Sequence, residues 1–410
     1  MSAPLPSAGS GTKKADLEIA DILRRYLPEY LRTHQLTQKQ FRVFRSLISC
    51  RTGALGGHMM ACDHCGYQKP VYHSCGDRHC PKCQGLAGLR WVKKRISEIL
   101  PVPHYHVVFT LPHLLNPLIR HNRKQLYDLL FQASAETLKV FSLDSKHLGA
   151  SPGFFGVLHT WSQTLIFHLH IHYLLPAGGL NADGSEWISH PGGNRFLFPV
   201  KALSKVFRGI FIRGLKKLYA SQSLMIPDSL ELSDARAFDW FLDQAVSRKW
   251  HVYAKRPFSG PEEVIGYIGR YTHRVAISNH RLKSMDGGVI RFTYQDRKNH
   301  PASPKTREMR LPFEEFIRRY KEHILPGHYH KIRFFGFMAN GRRSRNLKII
   351  CRSIDRQKIS VAWNDGFIQR FFSSMERKER VCPVCSGGTL KVLDRIKPIG
   401  YRFVEVADTG

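Results

Sequence analysis

The chain has 410 residues, 42% of them hydrophobic, and 63 Lys and Arg against 32 Asp and Glu leave a formal net charge of +31. That length and apolar content support two or three domains with real cores and exclude a disordered tail protein. A charge of this size on a folding chain calls for a polyanion, with nucleic acid as the default.

No apolar run approaches the roughly 18 residues of a spanning helix, and Met1-Ser2-Ala3-Pro4-Leu5 contains no apolar signal core. No membrane partner is expected, and the chain reads as cytoplasmic. Residues 1–14 are small, polar and rich in Gly, Pro and Ser, and are expected to be a disordered tail. Residues 15–49 are expected to be a helical lead-in: Ile19, Ile22, Leu23, Tyr26 and Leu27, then Phe41, Phe44 and Leu47, recur at helical spacing, with a break at Pro28. Residues 50–100 are expected to form a zinc-binding domain with a following helix. Six of the nine cysteines fall between Cys50 and Cys83, among histidines and without a secretory signal, which favours metal thiolates over disulfides. Cys62-x2-Cys65 and Cys80-x2-Cys83 each aim two sulfurs at one point and are expected to share one tetrahedral Zn²⁺. Cys50, His58, Cys75 and His79 are the candidates for a second site. A closed four-ligand site has no open position for chemistry, so the block is expected to be structural and to touch DNA. Leu86 to Leu100 reads as an amphipathic helix ended by Pro101 and Pro103.

Residues 101–285 alternate strand and helix patterns. His106 to Leu111 is a strand, 118–142 a helix, Val157 to Leu175 a pair of strands and Leu203 to Tyr219 a basic helix. In the second strand of that pair His168, His170 and His172 alternate with Leu169 and Ile171. Residues i and i+2 share a face about 6.6 Å apart, and i and i+4 lie about 13 Å apart. One adjacent pair can therefore meet one ion, with a third ligand from elsewhere. Pro261-Glu262-Glu263 opens a helix, with proline in the first turn and acids at the positive end of the dipole. That helix carries Tyr267 and Tyr271, neighbours on one face at i and i+4, and Arg270, His273 and Arg274 bring a charge that a core face rarely carries.

Residues 286–375 are expected to be a basic C-terminal DNA-binding region, with strands at 288–295 and 306–312 and a helix at 313–324. Within it, 328–349 offers cations for a backbone and aromatics for bases: Lys331, Arg333, Phe334, Phe335, Arg342, Arg343 and Arg345. Residues 376–410 form a tail with Cys382-x2-Cys385, a knuckle without a neighbouring mate that would borrow Cys351 or a histidine, or serve only as a turn.

Taken in order, these motifs resemble the HUH endonucleases, and more closely the bacterial two-tyrosine rolling-circle transposases, helitron-like insertion-sequence enzymes with an N-terminal zinc-binding domain. The resemblance spans about residues 20 to 390. It is carried by Cys75-Gly76-Asp77-Arg78-His79-Cys80-Pro81-Lys82-Cys83, Leu158-His159-Thr160-Trp161, Tyr253-Ala254-Lys255-Arg256-Pro257-Phe258 and Tyr267-Ile268-Gly269-Arg270-Tyr271-Thr272-His273-Arg274.

The resemblance implies an α+β protein: an antiparallel-sheet HUH nuclease domain flanked by helices, an N-terminal helical and zinc-binding module, and a basic C-terminal region. It implies His170 and His172 as the metal pair, with Leu169 where the family more usually has proline. Gln163 sits where related replication initiators place a third ligand, with His168 in a supporting position as the alternative. Two nitrogens and an oxygen suit Mg²⁺ or Mn²⁺. Tyr267 and Tyr271 become nucleophiles that form 5′-phosphotyrosine links, with Arg270 and Arg274 beside them on the DNA. The implied partners are single-stranded DNA at element ends and targets, and host replication machinery; the implied location is the bacterial nucleoid. Two alternatives stand beside this reading: a plasmid replication initiator or relaxase of the same chemistry, and a zinc-dependent DNA-binding regulator without catalysis. The zinc knuckles and the lack of a G-x4-G-K-[ST] helicase loop weigh against the first.

Overall fold

The computed structural model describes residues 17–190, 198–232, 234–258, 261–296, 305–357 and 381–400. The tail expected at 1–14 lies outside the described residues. An N-terminal stretch comprises α1 (Ile19–Thr33), α2 (Gln38–Ser49), β1 (Gly57–Cys62), β2 (Gln68–Tyr72) and α3 (Pro81–Arg95). A central stretch follows with β3 (His104–Thr110), α4 (Asn116–His121), α5 (Arg123–Leu143), β4 (Gly153–Trp161), β5 (Phe167–Pro176), β6 (Gly178–Leu180), β7 (Trp187–Ser189), α6 (Val200–Ala220), α7 (Ala235–Ser247), β8 (His251–Phe258) and α8 (Pro261–Tyr271). The last stretch holds β9 (Leu282–Asp286), β10 (Val289–Asp296), β11 (Lys305–Pro312), α9 (Phe313–Glu322), β12 (Ile332–Gly336), α10 (Arg343–Gln357) and β13 (Leu390–Ile396).

The protein is α+β, and every strand pairing is antiparallel. Its central sheet runs β12-β4-β5-β3-β8. Because side chains alternate across a strand, this sheet has two unlike faces. One carries Tyr105, Val107, Phe109, Phe154, Leu158, Ile171 and Tyr173, and α5 and α6 bury it with Leu130, Phe131, Phe207 and Phe211. The other carries His106, Val108, Thr110, Phe155, Val157, His159, His170 and His172. There α8 and α3 cover only the end around Phe155, Val157 and Leu174, through Val264, Ile268 and Val92. The uncovered half of this face is where the candidate site lies.

Two expectations are redrawn by packing. The helical lead-in does not break at Pro28, which lies inside α1. Burial of Tyr26, Leu27 and Tyr30 on both sides of it holds the helix together against a proline cost of about 3 kcal/mol. The break falls at residues 34–37, where Thr37 caps α2 and forms a capping box with Gln40. Nor do the lead-in and the basic region stand apart in space. α1 and α2 share one core with β10 and α9, and Tyr26 stacks on Phe313 with ring centroids 4.6 Å apart. Strand β12, from the middle of the stretch read as a separate region, hydrogen-bonds to β4 as an edge of the central sheet. No helix of the described residues is long and apolar enough to cross a membrane.

Gly156 marks how tightly the buried face is filled. A Cβ there would lie 2.5 Å from the ring of Tyr173, whose hydroxyl is held 2.8 Å from that of Ser134. Gly156→Ala is expected to destabilise the protein by about 1–3 kcal/mol through overpacking, seen as a lower midpoint in thermal and urea unfolding.

Candidate active site and metal centres

Strand pairing brings together histidines far apart in sequence. β4 lies beside β5 with His159 opposite His170 and Val157 opposite His172, so His159 points to the face of the β5 histidines. His159, His170 and His172 each offer a ring nitrogen, and the three nitrogens lie within 4.8 Å of one another. Each ring also has a nitrogen engaged with protein. His159 Nε2 donates to the Tyr271 carbonyl at 2.8 Å, His170 Nδ1 donates to the His168 carbonyl at 2.8 Å, and His172 Nδ1 lies 2.9 Å from His106 Nε2. Rings fixed through one nitrogen and free to ligate through the other are the usual pattern of metal-binding histidines. Burial, reinforced by the neighbouring imidazoles, holds all three in the neutral form: His170 falls to about 3, and His159 and His172 drop well below the ordinary value.

The structure adds a residue to the expected donor set. His170 and His172, the pair the resemblance implies, converge, and a third converging nitrogen belongs to His159. Gln163, the expected third ligand, lies in the turn after β4 and lines the same cavity; its carbonyl accepts a hydrogen bond from Arg281. His168 reaches outward to His113, 2.9 Å away. The sequence signal for His159 was its spacing from Val157 on an alternating strand, which becomes readable only once β4 is paired with β5.

Tyr267 and Tyr271 stack on each other with centroids 4.5 Å apart, yet their surroundings differ. The Tyr271 ring is 4.6 Å from that of His172 and lines the cavity. Tyr267 is only 4% exposed, packed on the His106 ring at 4.6 Å among Val264, Ile268 and Phe155. The cavity, about 630 Å³, is walled by Thr110, Trp161, Tyr253, Arg274, His280 and Arg281 besides these residues, and among the described residues no carboxylate lines it. Cations, neutral imidazoles and hydroxyls without an acid suit an anionic ligand.

The expected DNA-gripping segment is largely committed elsewhere. Arg333 pairs with Asp128 and lies over the Phe131 ring at 4.4 Å, and Arg343 pairs with Glu98 at 3.3 Å and lies over Phe334 at 4.7 Å. Phe335 stacks on Phe154 and Phe334 packs beside Phe155, one on each face of the sheet. Lys331 donates to the Arg274 carbonyl. Arg342 and Arg345 are exposed, and Arg274 faces the cavity. The side chain of Arg270 lies outside the described residues.

Nine cysteines resolve into two thiolate clusters and Cys351, with no disulfide among the described residues. The expected pairing of Cys62 and Cys65 with Cys80 and Cys83 is corrected. Cys80 and Cys83 meet Cys50 and Cys75, with Sγ separations of 3.5 Å for Cys50 to Cys83 and 3.7 Å for Cys75 to Cys83. Cys62 and Cys65 meet Cys382 and Cys385, at 3.7 Å and 3.6 Å across the pair. A tetrahedron of 2.3 Å Zn–S bonds sets its sulfurs about 3.8 Å apart, so both clusters have the dimensions of a structural zinc site. In the first, Cys80 and Cys83 sit at the start of α3, whose dipole favours thiolates. The second is assembled by β13 pairing with β1, Leu390 opposite Cys62. Gly388 there is obligatory, since a Cβ would lie 2.4 Å from Cys62 Sγ.

His58 and His79 ligate neither cluster. His58 meets His73 edge to face, and His79 donates from Nδ1 to Asp77 while Nε2 accepts from the Leu325 amide. This tie fastens the first cluster to the segment after α9. The C-terminal knuckle uses neither Cys351 nor a histidine.

Comparison with known proteins bears on the whole chain. Residues 22–111 match the family model described as a transposase zinc-binding domain, and residues 153–346 match one described as "Putative transposase". A protein named "Putative transposase y4qJ" from Sinorhizobium fredii is 40% identical over 388 residues, covering 92% of this chain and 96% of that one. The transposase for insertion sequence element IS801 from Pseudomonas savastanoi pv. phaseolicola is 30% identical over 297 residues, 72% of this chain and 69% of that one. No solved structure matches the chain.

Zinc counting distinguishes the two pairings of knuckles. The intact chain is expected to release two zinc ions on thiol modification, and Cys62→Ser or Cys80→Ser about one each. Joining Cys62→Ser with Cys382→Ser should still leave one ion, and joining it with Cys80→Ser should leave none. Equal losses for both double variants would restore the pairing of Cys62 with Cys80.

Proposed function

Because the chain belongs to the IS91/IS801 family of transposases, we propose that it cleaves and rejoins single-stranded DNA at the ends of a mobile element through 5′-phosphotyrosine intermediates, in rolling-circle transposition. The observation that carries this reading is the cavity with Tyr271 on its wall, three converging histidines on its floor and, among the described residues, no acid in its lining. A phenol is almost wholly protonated at neutral pH, and a phosphodiester repels nucleophiles, so the phosphate must be neutralised and the phenolate favoured. Arg274 supplies fixed positive charge at the cavity wall. His159, His170 and His172 would hold a divalent cation. When bound, that cation supplies Lewis-acid polarisation of the scissile phosphate and relief of charge on the departing oxygen.

The Tyr271 oxygen attacks phosphorus, the bond from phosphorus to the 3′-oxygen breaks, and the proton lost by the phenol is matched by the one gained at the freed 3′-hydroxyl. One phosphodiester is exchanged for another, so the reverse attack reseals a strand without external energy. Tyr271 makes the first attack on this reading, because Tyr267 lies buried behind it on His106. A second nucleophile on the same helix face permits a second cleavage before resealing. His106 holds His172 in orientation through the bond to its Nδ1. The cytoplasm, where such an element and the host replication machinery are found, is the proposed location.

The test is a labelled single strand from an element end, incubated with the full chain and Mn²⁺ and resolved under denaturing conditions, with the adducted peptide mapped. Tyr271→Phe is expected to lose the first adduct and Tyr267→Phe to keep it; adducts that persist in the double variant would remove both tyrosines from the chemistry. His159→Ala should weaken Mn²⁺ binding, read by calorimetry, by more than the roughly 10- to 100-fold typical of losing an outer partner. Three nitrogens are softer donors than the oxygens Mg²⁺ prefers, so Mn²⁺ is expected to support cleavage at lower concentration than Mg²⁺.

A further inference from the structure

The phrase Tyr253-Ala254-Lys255-Arg256-Pro257-Phe258 has no part in the chemistry above, yet its first residue occupies a marked position. Among the described residues β8 is an edge of the central sheet, paired with β3 alone. Tyr253 lies opposite Val108, which lies opposite His172 on its other side. The three form one row on one face, so Tyr253 stands two strand spacings, about 10 Å, from the metal-side histidine. Its ring lines the cavity, edge-on to His106 with centroids 6.3 Å apart, and is 57% exposed.

An aromatic so exposed, on the half of this face that the helices leave uncovered, contributes little to the core. Of the other large aromatics lining the cavity, Tyr294 on β10 is half-buried, and two lie against site histidines. Trp161 stacks on His159 at 4.7 Å, and Tyr271 lies on His172. Trp240 is more exposed, but it sits on α7, which packs with α6 behind the opposite face. Tyr253 thus presents a π-face at the open edge, and Arg274 stands on the cavity wall for a phosphate, with Arg281 beside it holding the Gln163 and Thr293 carbonyls. Cations along a backbone with an aromatic under the bases is the general arrangement for single strands.

We propose that Tyr253 is a stacking platform for a base next to the scissile phosphate, a positioning residue that sets the strand so that this phosphate reaches Tyr271. This rests on the single-strand reading of the cavity and adds a residue to it. Stacking requires the ring and not the hydroxyl, and tolerates any base.

Binding without chemistry tests it. The full zinc-loaded chain is titrated, without added Mg²⁺ or Mn²⁺, with mixed-sequence single strands carrying 2-aminopurine at successive positions. Anisotropy reports affinity and quenching reports stacking. Tyr253→Ala is expected to weaken binding by about 5- to 100-fold and abolish quenching at one position, while Tyr253→Phe and Tyr253→Trp stay within about twofold. Replacing the quenched base by an abasic site should erase the difference between the parent and Tyr253→Ala. Equal affinity of Tyr253→Ala and the parent overturns the proposal. So does a loss in Tyr253→Phe as large as in Tyr253→Ala, which would point to the hydroxyl instead. If the parent forms no covalent adduct yet these differences hold, the cleavage reading fails and the platform stands.

Discussion

The alternation of β5 is the constraint on which the rest depends. Leu169, Ile171 and Tyr173 point into a core closed by α5 and α6, so His168, His170 and His172 must point the other way. A slip of one residue would bury three imidazoles among phenylalanines and expose the apolar set, a cost that fixes the register. Once it is fixed, the partners of β5 are fixed too: His159 from β4, then Val108 and Thr110 from β3 with Tyr253 and His251 beyond them on β8. The site is a by-product of burying the opposite face. Its geometry is therefore protected by the largest core of the molecule, which is the support a metal centre needs.

The sequence revealed what depends on local periodicity and concealed what depends on pairing. A two-residue repeat and a four-residue repeat each put side chains on one face, so the β5 histidines and the pair Tyr267 and Tyr271 stood out, and the family resemblance singled out His170 and His172 among them. His159 did not stand out, because its role arises from register with a neighbouring strand, and in sequence it is one histidine beside a tryptophan. Most of the helices could be read from spacing. The antiparallel sheet could be expected only as a class. β12 was misread as part of a separate basic surface, since a run of Lys, Arg and Phe looks the same whether it faces solvent or lines a sheet edge with Arg333 paired to Asp128.

The cysteine pairing makes the same point over a longer distance. Two nearby Cys-x2-Cys knuckles appear made for each other, and loop closure favours near partners over far ones, though only logarithmically. Here the closing force for the far partner is a strand: β13 zips along β1 and delivers Cys382 and Cys385 to Cys62 and Cys65, while the knuckle at the start of α3 closes on the end of α2. The C-terminal end of the described chain is thereby tied back to its N-terminal part. Through Asp77, His79 and the Leu325 amide the first cluster is tied to α9, and so to the core that α1 and α2 share with β10. One cluster thus ties the zinc-binding part to the C-terminal segment and the other ties it to the core beside α9, so loss of either ion would be felt beyond its own loop.

Among the described residues no carboxylate lines the cavity, and this carries a last consequence for the proposed chemistry. Many phosphoryl-transfer sites gather acids around their ions, and the acids repel the substrate they serve. Here the converging side chains are imidazoles kept neutral by burial, and among the described residues Arg274 and Arg281 are the charged side chains on the wall. On the proposed reading, a divalent ion held there would keep its full charge for a phosphate, and attraction for a single strand would be strong before any base is read. Selectivity for an element end would then come from the contacts that hold the bases, and the aromatic edge of the sheet is the part of this cavity suited to making them.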